Sequence, residues 1–153
     1  MRTNVIDDGL RFRNVLTRRQ ITNYIVVHHT ASASDLTTSD IHQMHLNNGW
    51  SGCGYHFVIE SDGSVHQGRP IWATGAHAEG HNWESVGVNV VGNFEDGDAE
   101  PTEAQMESLK ILLDDLKAEY PDADIVGHRE LNATACPGER LYLKLREIIK
   151  EEI

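Results

Sequence analysis

The chain is short of positive charge, of cysteine and of long apolar runs, and each shortage closes off a class of function. It carries 13 Lys and Arg against 24 Asp and Glu, a formal net charge of −11 with histidine neutral. Nucleic-acid affinity rests largely on cations that neutralise phosphates, so this balance argues against a nucleic-acid partner. It argues equally against adhesion to an anionic membrane. The single basic cluster, Arg11, Arg13, Arg18 and Arg19, reads as a solvated N-terminal stretch. No segment approaches the roughly 20 apolar residues that a membrane helix needs. The opening residues, MRTNVIDDGLRFRN, lack the apolar centre of a signal peptide. The expectation is a protein made in the cytoplasm, without membrane insertion. The two cysteines, Cys53 and Cys136, are too few for a disulfide framework. Without an export signal, metal binding or catalysis is the better reading for at least one of them. Repeats, low-complexity tracts and linkers are also missing, so residues 1–153 read as one domain, with 1–20 of uncertain structure.

What the chain does have is histidine, nine in all. Two of them end an apolar run, YIVVHHT, which reads as a strand over 24–29 with apolar residues on both faces. TTSDIHQMHLNNGW reads as a short helix capped by Thr37 or Thr38, with Asp40 in its first turn and Asn47-Asn48-Gly49 at its stop. Two β-rich runs then flank Asp62-Gly63, a hairpin signal. WATGAHAEGHNWES has no period and reads as a loop, and SVGVNVVGN reads as another buried strand. In PTEAQMESLKILLDDLKAEYP, Met106, Leu109, Leu113, Leu116 and Tyr120 recur at helical spacing. Thr102 and Gln105 form its capping box and Pro121 its stop. DADIVGHRE is a strand ending again on histidine, LNATACPGE a loop, and 138–152 a last helix. Strands alternate with helices, which predicts an α/β fold with a mixed central sheet flanked by helices.

Two strands thus end on histidine, at His28-His29 and at His128, and Cys136 follows eight residues after His128. Ligands from the C-terminal ends of neighbouring strands and from the next loop can converge in an α/β sheet. Two histidines and a cysteine make a three-ligand zinc set that leaves a fourth position open, the arrangement of catalytic zinc. Successive strand side chains point to opposite faces, so only one of His28 and His29 can serve. Periodicity does not choose between them, because both faces of the strand are apolar. The plainer reading makes His128 an ordinary polar strand end and Cys136 a small buried residue.

The segments IVVHHTA, GWSGCGYHFVIESDGSVHQGR, TGAHAEGHNWESVGVNVVGN, PTEAQMESLKILLDDL and GHRELNATACPG together resemble the zinc-dependent N-acetylmuramoyl-L-alanine amidases of the type 2 amidase and peptidoglycan-recognition-protein family. The likeness runs in order from about Ile21 to the C-terminus and is greatest to the short phage endolysins. It implies a mixed sheet with helices on both sides, one zinc ion per chain at the floor of a peptidoglycan groove, and cleavage of the amide between N-acetylmuramic acid and L-alanine. It implies that His28, His128 and Cys136 are the metal ligands and that His29 packs behind the sheet. It places Tyr55 beside the metal as a hydrogen-bond donor, and Thr134 where many phage members carry lysine. An oxyanion role then falls to Thr134, or to zinc and Tyr55. His77 and Asn82 match groove residues, and Trp72 and Trp83 flank the same loop as candidate substrate contacts. His45 reads as structural, His42 as solvent-exposed, Cys53 as a packing residue, and His66 and His81 stay unassigned. The resemblance also implies a monomer that reaches the wall through a holin-type pore. Some short phage members bind their phage's RNA polymerase, for which the N-terminal segment would be the place to look.

Three alternatives stand beside this reading. A non-catalytic peptidoglycan-binding module of the same fold typically lacks the cysteine ligand, which is present here. A polymerase-binding regulator is not demanded by any residue. A Cys-His hydrolase could use Cys136 as nucleophile with His28 or His128, and it would survive a chelator that disarms a zinc site.

Overall fold

Among the described residues, six strands form one sheet: β1 (Val5–Ile6), β2 (Tyr24–His29), β3 (Phe57–Ile59), β4 (Val65–Gln67), β5 (Ser85–Val90) and β6 (Asp124–Gly127). Their spatial order is β1-β4-β3-β5-β2-β6 in a computed structural model that describes residues 1–95 and 99–151. The β3–β4 hairpin is antiparallel and every other neighbouring pair is parallel. Parallel strands need their faces covered, and three helices do this: α1 (Thr38–Asn47), α2 (Glu103–Glu119) and α3 (Glu139–Glu151). The expected last helix is present, and residue 152 lies outside the described residues. Among the described residues, no helix is long and apolar enough to cross a membrane.

Strand alternation decides what each face holds. Ile25, Val27, Phe57, Ile59, Val86, Val88 and Val90 pack with Leu109, Leu112, Leu113 and Leu116 of α2 and with Leu141 and Leu145 of α3. Each such side chain contributes roughly 1.5–3 kcal/mol when fully buried. On the opposite face Val58 packs with Ile41 of α1, Cys53 and Val91. The fold is therefore α/β, with a mixed sheet between helices.

The helices start where their side chains satisfy the free backbone N–H groups of the first turn. Thr37 Oγ1 accepts from Asp40 N at 3.2 Å, and the Asp40 carboxylate accepts from Thr37 N at 3.0 Å. Thr102 and Gln105 make the same exchange for α2, at 3.1 and 3.0 Å. One glycine is sterically required near the third helix. Gly138 has φ +86°, and a Cβ there would stand 2.4 Å from the Phe94 carbonyl carbon. That turn sets the path of the loop holding Cys136.

Two features differ from what local patterns suggest. The first residues are tied down: β1 pairs with β4, and Asp115 of α2 accepts from the backbone N–H of Arg2 and Thr3 at 3.1 and 2.8 Å. His66 of β4 joins this anchorage, with Nδ1 2.8 Å from Asp8 and Nε2 3.3 Å from Glu60. His42, expected at the surface, is buried. Its Nδ1 accepts from Cys53 N and its Nε2 donates to Arg11 O, both at 2.9 Å. The N-terminal segment folds across this side of α1, with Phe12 edge-on to the His42 ring. Helical periodicity does not reveal a cover supplied from thirty residues upstream.

Candidate metal centre and groove

The register of two strands and the loop after the second build the site. Val27 of β2 is paired with Gly127 of β6, so His28 and His128 each follow a paired residue and come to the same level at the C-terminal ends of adjacent parallel strands. Their ring centroids are 4.5 Å apart. Past Gly127 the chain tightens into a 3₁₀ turn, His128–Glu130, and the loop after it returns Cys136 to the end of β2. There the Cys136 Sγ accepts from His29 N at 3.4 Å and lies 3.6 Å from His28 Nδ1. Arg129 braces this return: its N–H donates to Cys136 O at 2.8 Å, its guanidinium donates to Ala135 O at 2.7 Å and to Glu139 at 2.8 Å, and it covers the Tyr142 ring. One ligand atom from each of His28, His128 and Cys136 lies within 4.8 Å of the others.

His29 takes the other face. Its Nδ1 accepts from Phe94 N at 3.1 Å and its Nε2 faces the Glu95 carboxylate at 3.5 Å. Burial holds its pKa down at about 4. Burial also keeps His28 well below the usual histidine range, with the neighbouring His77 and His128 adding to the shift. His128 is lowered by burial as well, against the pull of its bond to Asn132. These rings are neutral at physiological pH, the state in which imidazole binds a metal. Burial pushes the Cys136 thiol up to about 12. That is the reverse of the depressed pKa of an activated cysteine nucleophile.

The three side chains fit a tetrahedral metal. Nitrogen and sulfur ligands at about 2.0 and 2.3 Å from one zinc ion stand about 3.5 Å apart at the tetrahedral angle, close to the 3.6 Å between His28 Nδ1 and Cys136 Sγ. Each histidine is also oriented through its far nitrogen, as zinc-binding histidines are. His128 Nε2 donates to Asn132 Oδ1 at 2.8 Å, and His28 Nε2 lies 2.8 Å from His77 Nδ1.

A groove of about 680 Å³ opens beside this cluster, lined by Trp50, Ala76, His77, Ala78, Glu79, Asn82, His128, Asn132, Ala133 and Thr134. Tyr55 stands next to it with its ring 5.1 Å from that of His28. Burial raises the Tyr55 pKa, and the nearby Cys136 adds to this, so its phenol stays an O–H donor. Thr134 Oγ1 accepts from Cys136 N at 3.2 Å, which leaves the hydroxyl hydrogen free to point into the groove. Asn82 Oδ1 accepts from His77 N and Ala78 N, at 2.8 and 2.9 Å, and holds the loop in shape. Trp72 and Trp83 are exposed at 40% and 56% but are not among the lining residues. Trp72 is covered by Arg18, and Trp83 bonds to Gly80 O.

Sequence reasoning passed over several residues that the structure brings to the site. Trp50 lines the groove and packs at a tilt against His45, whose ring lies 5.5 Å from that of Tyr55. Asn132 supports His128 from one turn away, a spacing that could have been noticed. Ser85 Oγ lies 3.2 Å from His77 Nε2 and donates to the His81 carbonyl. His56 is fully buried, accepting from Gly87 N at 3.0 Å and donating to Ala73 O at 2.7 Å.

The chain is similar to known proteins over most of its length. The family model for N-acetylmuramoyl-L-alanine amidase matches residues 17–139. The endolysin of Escherichia phage T7 is 42% identical over 125 residues, 78% of this chain and 83% of that protein. Among solved structures, the N-acetylmuramoyl-L-alanine amidase LysC from Clostridium intestinale superposes with a TM-score of 0.90 at 34% identity, covering 97% of both chains. Drosophila PGRP-LB superposes with a TM-score of 0.83 at 26% identity, covering 94% of this chain and 92% of that one.

Proposed function

Because this chain belongs to the N-acetylmuramoyl-L-alanine amidase family, we propose that it acts as an endolysin that uses one zinc ion to cut peptidoglycan between N-acetylmuramic acid and L-alanine. The observation that carries the zinc assignment is the convergence of His28, His128 and Cys136 within 4.8 Å at the side of an open groove. When bound there, zinc supplies Lewis acidity to the scissile carbonyl and to the attacking water.

The residues of this chain do the rest. His28, His128 and Cys136 would hold the ion, and His128 lines the groove. The oxygen of the water joins the lactyl carbonyl carbon. One proton of the water passes to the nitrogen as the carbon–nitrogen bond breaks and the other to solvent, leaving a lactyl carboxylate and the free α-amine of L-alanine. Tyr55 and Thr134 present two neutral hydroxyls beside the cluster, suited to donate to the oxyanion that develops on the carbonyl. Asn82 uses its carbonyl oxygen for the loop, so its NH₂ is the part that can meet a peptide or sugar oxygen. Trp50 offers an apolar wall for the sugar or its lactyl group.

The test is lysis of purified peptidoglycan with and without a strong chelator, followed by zinc add-back, while newly freed amines and reducing ends are counted. Chelator-sensitive lysis that frees L-alanine amines without reducing sugars is the expected result. Lysis that persists in chelator would instead point to Cys136 as a nucleophile, and new reducing ends to a glycosidase.

A further inference from the structure

We propose that His77 is a positioning residue for the metal centre, one that sets which nitrogen of His28 is offered to the ion, and that its ring nitrogens are withheld from the substrate. This rests on the zinc amidase reading.

The direction of every hydrogen bond in the chain of contacts can be worked out from its far end. Ser85 Oγ lies 2.8 Å from the backbone carbonyl of His81, which can only accept. The single hydroxyl hydrogen of Ser85 is therefore committed there. Ser85 Oγ is also 3.2 Å from His77 Nε2, to which it can now present only a lone pair. His77 Nε2 must carry the hydrogen of the neutral ring, and His77 Nδ1 is left as an acceptor. His77 Nδ1 is 2.8 Å from His28 Nε2, so His28 Nε2 is the protonated nitrogen. The lone pair of His28 falls on Nδ1, the atom 3.6 Å from Cys136 Sγ. A backbone carbonyl thus selects the ligand atom through two intervening side chains.

The surroundings hold His77 in this place. Gly87 of β5 has no side chain, and a Cβ there would stand 2.7 Å from His77 Cγ, so the ring lies directly on the strand backbone. The Asn82 amide fixes the His77 backbone from the other side. The ring forms part of the groove wall, yet both of its nitrogens are engaged with the protein. A residue that bound substrate by hydrogen bonding would keep one of them free.

The decisive measurement is zinc affinity, by competition with a chromophoric chelator, for the wild type and for His77→Ala, His77→Gln and Ser85→Ala. Outer partners of metal-bound histidines are worth about 10- to 100-fold in affinity. His77→Ala is expected to lose that much. Ser85→Ala, which deletes one oxygen and spares the fold, is expected to lose a smaller part. His77→Gln is expected to regain some affinity, because its amide oxygen can accept from His28 Nε2. At saturating zinc, the KM of His77→Ala for solubilised peptidoglycan should stay within about twofold of wild type, since no substrate hydrogen bond is removed. Wild-type zinc affinity in both His77→Ala and Ser85→Ala would overturn the inference, and so would a raised KM with unchanged zinc affinity. A wild type that binds no zinc would instead sink the amidase reading beneath it.

Discussion

His28 and Cys136 are 108 residues apart in the chain, yet His28 Nδ1 and Cys136 Sγ lie 3.6 Å from each other, a separation that suits two ligands of one tetrahedral metal ion. The contact depends on β2 and β6 being adjacent and parallel, and on Arg129 holding the return loop by its backbone and its guanidinium. Both the chemistry and its vulnerabilities follow from this pair.

Removing any one of the three proposed ligands should abolish metal binding. His28→Ala, His128→Ala and Cys136→Ala should each bind no zinc at micromolar concentration and release L-alanine amines at below about 1% of the wild-type rate. Metal content by atomic emission and amine release on the same samples check this. A zinc-free Cys136→Ala protein with full activity would exclude the proposed mechanism.

The hydroxyl donors can be separated from the ligands. Tyr55→Phe keeps the ring that packs 5.1 Å from His28 and removes only the O–H. It should retain zinc and lower kcat about 100-fold, the usual cost of one oxyanion donor, with little change in KM. Thr134→Val should act in the same direction but less, because Thr134 is exposed and water can replace its hydroxyl. If Thr134→Val were the more damaging of the two, the weight placed on Tyr55 would be misplaced.

Acid should destabilise the fold before the carboxylates titrate. Burial lowers the pKa of His45 to about 4 and of His56 to about 3, while an unfolded histidine titrates near 6.5. Above pH 6.5 neither state binds the proton and the stability is complete. As pH falls through 6.5, the unfolded chain takes up protons that the folded chain refuses, so stability declines, until the folded groups titrate near pH 4 and 3. Each such group removes at most about 1.4 kcal/mol per pH unit. Urea midpoints should therefore drop between pH 6.5 and 5, and a flat or rising midpoint there would contradict the buried neutral rings.

His42 offers a test of the N-terminal cover. His42→Leu leaves the buried Cys53 N–H without its acceptor, at a cost of about 1–3 kcal/mol. A surface histidine on a helix would cost almost nothing. Urea unfolding of the variant at pH 7 distinguishes the two.

Helix α2 was readable from one end to the other, because apolar spacing, a capping box at Thr102 and Gln105, and Pro121 all describe local physics. The β3–β4 hairpin was readable for the same reason, from Asp62-Gly63. The N-terminal segment was not, since Val5–Ile6 becomes a strand only by pairing with β4 and by the grip of Asp115. The loop sequence points to Trp72 and Trp83 as groove aromatics and gives no sign of Trp50, which the path of the chain brings to the groove wall.

The sequence by itself determined the class of fold, and it determined which residue types could bind a metal, because helix period, capping and the donor chemistry of histidine and cysteine are local properties. It could not choose between His28 and His29 from the strand pattern, since both faces of β2 are covered by apolar layers. In the tertiary structure, sheet register brings His28 beside His128 and sends His29 to Phe94 and Glu95. The tertiary structure also decided the work of His77, whose two nitrogens are engaged by residues at positions 28 and 85. Convergence of distant residues is set by strand order and register, which depend on the packing of the whole chain rather than on any one segment of it.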